Sequence, residues 1–215
     1  LWVDTLDVAP KPSGLEASGY VGGRFRVLDA LTTEVGLRAH RQPYTGKGQL
    51  SPPISAAFQP FSTTTLRAAW GLYPQAQALH ELQVADADSV FRRAQTAEHR
   101  ILGLEQLLGR DHSVRLEVFD RQTTDPFPEY RNLVEDVEAV WEEGPGDRIG
   151  IFPERRRAQG LELLLRGRLG PSIAWSGSYA LSRAEDRVDG EWVPRPYDQR
   201  HTGHLQLAYR PTPTW

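Results

Sequence analysis

The sequence predicts an all-β protein, an antiparallel up-and-down transmembrane β-barrel, of which this chain supplies about 9–10 strands. Three observations lead there. Apolar and polar side chains alternate with period two along repeated segments, and the connections between those segments alternate strictly between short and long. No apolar run is long enough for a membrane-crossing helix, which needs about 18 residues or more.

Taken in chain order, Leu31, Thr33, Val35 and Leu37 face away from Thr32, Glu34, Arg38 and His40. Leu66, Ala68, Trp70 and Leu72 oppose Arg67, Gly71 and Tyr73, and Val114, Leu116 and Val118 oppose Arg115 and Glu117. Further on, Leu161, Leu163 and Leu165 oppose Glu162 and Arg166. The longest pattern sets Ile173, Trp175, Tyr179 and Leu181 against Ala174, Ser176, Ser178, Ala180 and Ser182, which is about the ten residues a tilted strand needs to cross a bilayer. Leu205, Leu207 and Tyr209 alternate with His204, Gln206 and Arg210.

Soluble antiparallel sheets alternate in the same way, so the connections decide. Tight ones lie at Leu28 to Ala30, Gln59 to Ser62, Gly109 to Ser113 and Gly167 to Pro171. Long polar ones run from Gln42 to Leu50, Pro74 to Gln95, Thr123 to Phe152 and Ala184 to Arg200. In a meander, alternate connections fall at opposite ends of the sheet, which gives short periplasmic turns and long outer loops. Phe25, Phe58, Phe61, Trp175, Tyr209 and Trp215 cluster near the short turns, where an interfacial aromatic belt belongs.

The overall composition is polar, with 39% hydrophobic residues, a net charge of -3 and a mean hydropathy of -0.50. A β-barrel is compatible with these values because only every second strand residue meets lipid. The charge balance offers no basic footprint for nucleic acid, and Arg155 to Arg157 reads as a solvated or headgroup-facing patch. Cysteine is absent, which removes disulfides, thiolate metal sites and cysteine nucleophiles. Leu1-Trp2-Val3-Asp4 shows no initiator methionine or signal peptide, as a piece of a longer protein would.

Three ordered stretches resemble the TonB-dependent outer-membrane receptors. Gly36 to Gln75, GLRAHRQPYTGKGQLSPPISAAFQPFSTTTLRAAWGLYPQ, is similar to that family's strand, loop, "SPR" strand, turn and "TTLRA..G.Y" strand. Ala97 to Arg121, AEHRILGLEQLLGRDHSVRLEVFDR, resembles its "A.h..G.E" and "VFyR" strands. RRAQGLELLLRG, SGSYALSRAED and VPRPYDQRHTGHLQLAYRP resemble its "A.G.El", "gSYtls.aed" and "prpyDqrHt" elements in the same order.

The resemblance implies a barrel of about 22 strands around an N-terminal plug, taking up a scarce nutrient such as a ferric chelate, cobalamin or a saccharide. It implies as partners the plug domain of the same parent chain, the inner-membrane TonB complex, outer-membrane lipid and a small nutrient ligand. Residues 1–215 would form the middle-to-late part of the barrel, without the plug, the TonB-contacting segment or the final strands. Pro53 stands where the family pattern carries Arg, which removes a lumen charge and a ladder donor.

Strand parity places Arg38, Arg67, Glu105, Arg115, Glu162 and Arg166 in the lumen, as a charge ladder that would hold a plug or simply hydrate the wall. Gln106 falls on the lipid side, at a rim or at a bulge. Asp198, Arg200 and His201 lie where the last long loop rejoins a strand, and Asp198 and Arg200 share a face suited to an anchoring ion pair. Ligand-binding candidates in the loops are Tyr130, Trp141 and Trp192, by stacking, and His80, by an iron contact in a haem receptor. Glu135, Asp136, Glu138, Glu142 and Glu143 make the longest loop acidic, suited to cationic ligands, to ions bridging lipopolysaccharide, or to hydration alone.

No catalytic set, metal site or cofactor is read from the residues, since the histidines are scattered and His201 and His204 face opposite sides of a strand. The reading is therefore a receptor and transporter rather than an enzyme. Two alternatives stay open: a soluble antiparallel β-sheet carbohydrate-binding module, and an outer-membrane barrel hydrolase. The cover over the Leu161, Ile173 and Leu205 face separates the first from a barrel, because a sandwich buries that face and a barrel leaves it to lipid.

Overall fold

A computed structural model describes residues 14–84, 88–132 and 148–211. The strands are β1 (Ala17–Leu28), β2 (Leu31–Arg41), β3 (Gly48–Ser51), β4 (Ile54–Phe61), β5 (Thr64–Gln75), β6 (Gln95–Leu108) and β7 (His112–Thr124). They continue with β8 (Glu129–Asn132), β9 (Arg148–Ile151), β10 (Arg155–Leu169), β11 (Ile173–Val188), β12 (Glu191–Pro194) and β13 (His201–Tyr209).

Eleven of these make one antiparallel sheet, while β8 and β9 form a separate hairpin. β3 and β4 lie end to end beside β2, and β12 and β13 lie end to end beside β11, so the eleven strands form nine spans. The break between β3 and β4 falls at Pro52-Pro53, where the chain has no N–H to donate. The Pro53 carbonyl still accepts from Gly36 N at 2.9 Å, which keeps the span in register.

Direct pairing carries each face across the whole wall. Leu66 lies opposite Phe58 and Leu104, Leu104 opposite Leu116, Leu116 opposite Leu163, and Leu163 opposite Tyr179. This outward face stays open among the described residues: Leu205 is 77% exposed and Leu207 68%, with no second sheet over them. A soluble sandwich would bury such a row, so the structure favours a lipid-covered wall. Phe25, Phe58, Phe61, Trp175 and Tyr209 all share the outward face near the short turns, and Trp215 lies outside the described residues.

The short turns are tighter than the outer connections throughout. Gly109 and Gly170 turn with φ of +70° and +64°, the left-handed region where a side chain is strained. The outer segment from Ala184 to Arg200 is more ordered than a loop: β11 continues to Val188 and returns through Asp189-Gly190 into β12. Both turn residues have positive φ, 51° and 83°, so the dipeptide makes the right-twisting hairpin that Asp-Gly favours. Gln106 lies at the turn-end rim without a bulge, and Thr64 Oγ1 donates to its side-chain oxygen at 2.7 Å.

Gly160 is required by close approach rather than by φ. A Cβ there would come within 2.6 Å of the Leu181 carbonyl oxygen and 2.9 Å of the Phe119 ring. Gly103, on the same inward face, would meet nothing nearer than 3.7 Å. Gly160→Ala should therefore cost about 1–3 kcal/mol in urea unfolding of the lipid-reconstituted full-length protein, through overpacking. Gly103→Ala should be neutral or stabilising in the same measurement, and equal losses for both would count against this register.

Candidate functional site

The inner face of the wall is a charged surface assembled by register. Arg67 lies opposite Ala57 and Gly103, Gly103 opposite Glu117, Glu117 opposite Glu162, and Glu162 opposite Ala180. One row nearer the turns, Thr65, Glu105, Arg115 and Leu164 follow one another across the strands. Arg67 bridges these rows to Glu105 at 3.1 Å, while Arg115 reaches back to Glu117 at 2.6 Å. Arg24 pairs with Glu34 further round the wall. The opening strand β1 carries Arg24, and no alternation was read there because Gly19, Gly22 and Gly23 interrupt it.

All six lumen positions inferred from parity share this inward face. Arg38 lies opposite Tyr20 and Ser51, and Arg166 opposite Ser113 and Ser176. Glu162 and Arg166 have no ion pair among the described residues, so the ladder is partly paired and partly free. Small residues Ser55, Ala57 and Ala69 leave a concavity of about 500 Å³ between Arg24, Glu34, Arg67 and Arg115. Such a wall wets readily and presents both charge signs to whatever enters.

At the outer end the loops gather into two packed groups. In the first, the buried Gln42 donates to the Arg92 carbonyl at 3.2 Å, and Gln77 accepts from Arg92 N at 2.9 Å. Tyr44 stacks on Phe91 with centroids 4.1 Å apart, which ties the two loops together. His80 sits exposed on the one-turn 3-10 helix Leu79–Glu81, with no hydrogen bond or ion pair among the described residues.

The second group is an ionic network between the β8 strand and the upper wall. Glu129 takes Arg156, Arg131 and, at 3.3 Å, Arg195; Asp186 takes Arg156 and Arg195, both at 3.5 Å. Arg156 also donates to the Phe127 carbonyl at 3.0 Å, which fastens the incoming loop. Burial pushes the Glu129 carboxyl up, but the hydrogen bond from Arg131 and the charges of Arg156, Arg195 and Arg131 outweigh it and hold the group below the usual range. Burial dominates at Asp186 and pushes its carboxyl up despite Arg156 and Arg195. Arg156 is drawn down by its own burial. Asp186 and Arg195 lay in a segment read only as loop, where the Asp189-Gly190 turn is the signal that extends the strands, and Arg156, read with Arg155 and Arg157 as a solvated or headgroup-facing patch, instead joins them at the mouth.

The remaining candidates divide. Tyr130 meets Phe152 edge-on at 6.2 Å, inside the second group. Trp192 lies over Arg157, 4.6 Å from the ring centroid, on the outward parity and not among the inward charges. Trp141 and the acids Glu135, Asp136, Glu138, Glu142 and Glu143 lie outside the described residues. Asp198 accepts from Ala184 N at 2.8 Å and pairs with Arg200 at 2.7 Å, at the base of the last loop. His201 separates from that pair: it falls on the outward face, 2.6 Å from the Tyr179 hydroxyl. Among the described residues no three His, Asp or Glu side chains could hold a metal ion together.

Comparison with known proteins adds a family pattern and a set of folds. The pattern described as "TonB dependent receptor-like, beta-barrel" matches residues 7–215. No curated protein sequence matches the chain. Among solved structures, the alcaligin outer-membrane receptor FauA of Bordetella pertussis superposes with a TM-score of 0.62 at 17% identity, over 91% of this chain and 34% of its own. The ferripyoverdine receptor of Pseudomonas aeruginosa gives 0.63 at 16% identity, over 90% and 26%. The FrpB iron transporter of Neisseria meningitidis gives 0.61 at 15%, over 91% and 30%. The chain thus spans less than half the length of the structures it resembles.

The network generates a pH dependence whose sign follows from the two carboxyls. Glu129, held low, stabilises the loop above its ordinary value of 4.5, and that contribution is lost as pH falls through its lowered value. Asp186, pushed above 3.8, acts the other way: its contribution is present at low pH and lost as pH rises through the raised value. Limited proteolysis near residues 125–132 should therefore accelerate only gradually on acidification, and more steeply in Asp186→Asn, where the offset is gone. Glu129→Gln should release the same segment at neutral pH, at a cost of about 2–3 kcal/mol read by amide exchange.

Proposed function

The chain belongs to the TonB-dependent receptor family of outer-membrane β-barrels, and from that premise we propose that it is a section of the barrel of a receptor taking up a ferric chelate. The observation that carries this reading is the charged inward wall lying beneath two packed loop groups at one end of the sheet. A plug seats against such a wall through charge-paired hydrogen bonds, while the loops meet the ligand first. The neighbours named above for alcaligin, ferripyoverdine and iron support iron chelates over cobalamin or a saccharide.

Both outer strands of the sheet, β1 and β13, pair on one side alone among the described residues. Unpaired backbone groups cannot face hydrocarbon, so further strands complete the wall in the full barrel of about 22. The plug domain and the TonB complex are the partners this reading requires, with Arg67, Glu105 and Arg115 on the plug-facing wall. Tyr130 is the loop aromatic that remains in the second loop group, and His80 is the exposed histidine of the first. Asp198 and Arg200 anchor the loop base, leaving ligand contact to the loops above.

Two measurements test this. A strain deleted for the full-length protein should lose growth on one ferric chelate as sole iron source, and removal of TonB should reproduce the loss; unchanged growth on every chelate, with loss on cobalamin or a glycan, would replace the ligand class. On the wall, Arg67→Glu should raise sensitivity to large antibiotics by disturbing plug seating, and the double exchange Arg67→Glu with Glu105→Arg should restore exclusion. Leu163→Val, on the outward face, should leave exclusion unchanged.

A further inference from the structure

The β8–β9 hairpin pairs with no strand of the wall among the described residues, so side chains have to hold it in place. It is entered through Pro126-Phe127-Pro128, a stiff approach because each proline fixes its own φ. Phe127 is buried and its carbonyl accepts from Arg156 at 3.0 Å, which fixes the segment up to that point. Beyond it, every ion pair from the hairpin to the wall among the described residues runs through Glu129. One carboxylate therefore latches the hairpin.

The latch sits among groups suited to an anion. Arg156 of β10, Arg195 just past β12 and Arg131 of the hairpin itself converge on Glu129, so three guanidinium forks address one carboxylate. Asp186, the second carboxylate of the group, lies 3.5 Å from both Arg156 and Arg195. Three arginines thus share two carboxylates. The pairing is also incomplete: Arg156 Nε and Asp186 Oδ1 are buried 3.5 Å apart and neither makes a hydrogen bond among the described residues. A buried N–H without an acceptor is costly, so Arg156 keeps a donor in reserve for a better-placed oxygen. The surroundings supply no competing acid. Glu154, Glu185 and Asp198 are taken by other arginines, and Asp125 is exposed at the start of the segment. One inward row below, Arg121 lies exposed opposite His99 and Ala158, without an ion pair among the described residues.

We propose that Glu129 is the internal occupant of an anion site, and that a carboxylate of an incoming anionic ligand displaces it and frees the β8–β9 hairpin from the wall. A carboxylate fits because the site already holds one, fork to fork. Exchange is open to the site because it trades one set of charge-paired hydrogen bonds for another and leaves no buried arginine unpaired at its end. Glu129, with its side chain 27% exposed, is the carboxylate a ligand reaches, whereas Asp186 at 6% stays behind as a fixed part of the site. The inference deepens the transport reading and rests on it: it narrows the ferric chelate to one that keeps carboxylates at its surface.

The test uses the full-length protein in detergent, with tricarballylate, an iron-free tricarboxylate, as the probe; its uncharged trimethyl ester and sodium chloride at matched ionic strength are the controls. Millimolar tricarballylate should accelerate amide exchange across residues 129–131 of the wild type, and neither control should. Glu129→Gln should bind the probe at least tenfold more tightly by calorimetry, because the internal competitor is gone and the site is open in every molecule. Glu129→Gln/Arg195→Gln should lose that gain, and an unchanged heat-induced mobility shift shows that each variant keeps its barrel. Equal affinity in wild type and Glu129→Gln, a gain that survives in the double variant, or equal acceleration by either control would each overturn the proposal. None of these readouts needs uptake. Growth loss on a ferric chelate together with equal affinities removes this inference alone, whereas the expected exchange together with unchanged growth on every chelate removes the transport reading alone.

Discussion

No backbone N–H or C=O can face hydrocarbon without a partner, and that constraint organises everything else in this protein. It forces the spans into one continuous antiparallel ladder, and the ladder in turn fixes the register residue by residue. Because the side-chain period is two, a slip of one residue would send the Leu161, Leu163 and Leu165 row inward and Glu162 and Arg166 into lipid. The cost of a charge in the bilayer therefore protects the pairing as strongly as the hydrogen bonds form it.

The same register distributes charge into three settings with different physics. Inward pairs such as Arg67 with Glu105 stay hydrated and half exposed, so they contribute little to stability and are free to serve a partner. At the mouth, Arg156, Glu129 and Asp186 leave water far enough to perturb their ionisation, and there the network holds a loop against the wall. Outward, above the apolar rows, Glu185 is buried between Arg157 and Arg183. One chain thus uses ion pairs as a wetting surface, as a clasp and as a buried tie on the outward face.

Legibility followed the length of the pattern. β11 and β10 carry long alternations, interrupted only at Gly177 and Leu164, and parity placed Glu162, Arg166, Arg67, Glu105, Arg115 and Arg38 on one face of the sheet. β1 was the opposite case, since Gly19, Gly22 and Gly23 have no side chain to register on either face, and its Arg24 went unread with it. The segment after Ala184 was read as loop because its length fits an outer connection, although Asp189-Gly190 marks a hairpin. His201 was grouped with Asp198 and Arg200 by proximity in sequence, whereas re-entry into β13 turns it outward to Tyr179.

The sequence by itself determined the fold class, the sidedness of the loops and which residues share a face, because a strand's period and its turn lengths are local properties. Tertiary structure alone decided which charges meet. Arg115 chooses Glu117 on its own strand rather than Glu162 across the ladder, and Arg156 gathers Glu129 and Asp186 from segments far apart in the chain. The reason is that parity specifies only a side of the wall. Contact between two side chains also depends on register between strands, on strand twist and on how an outer loop folds back, and none of these is written within a single segment.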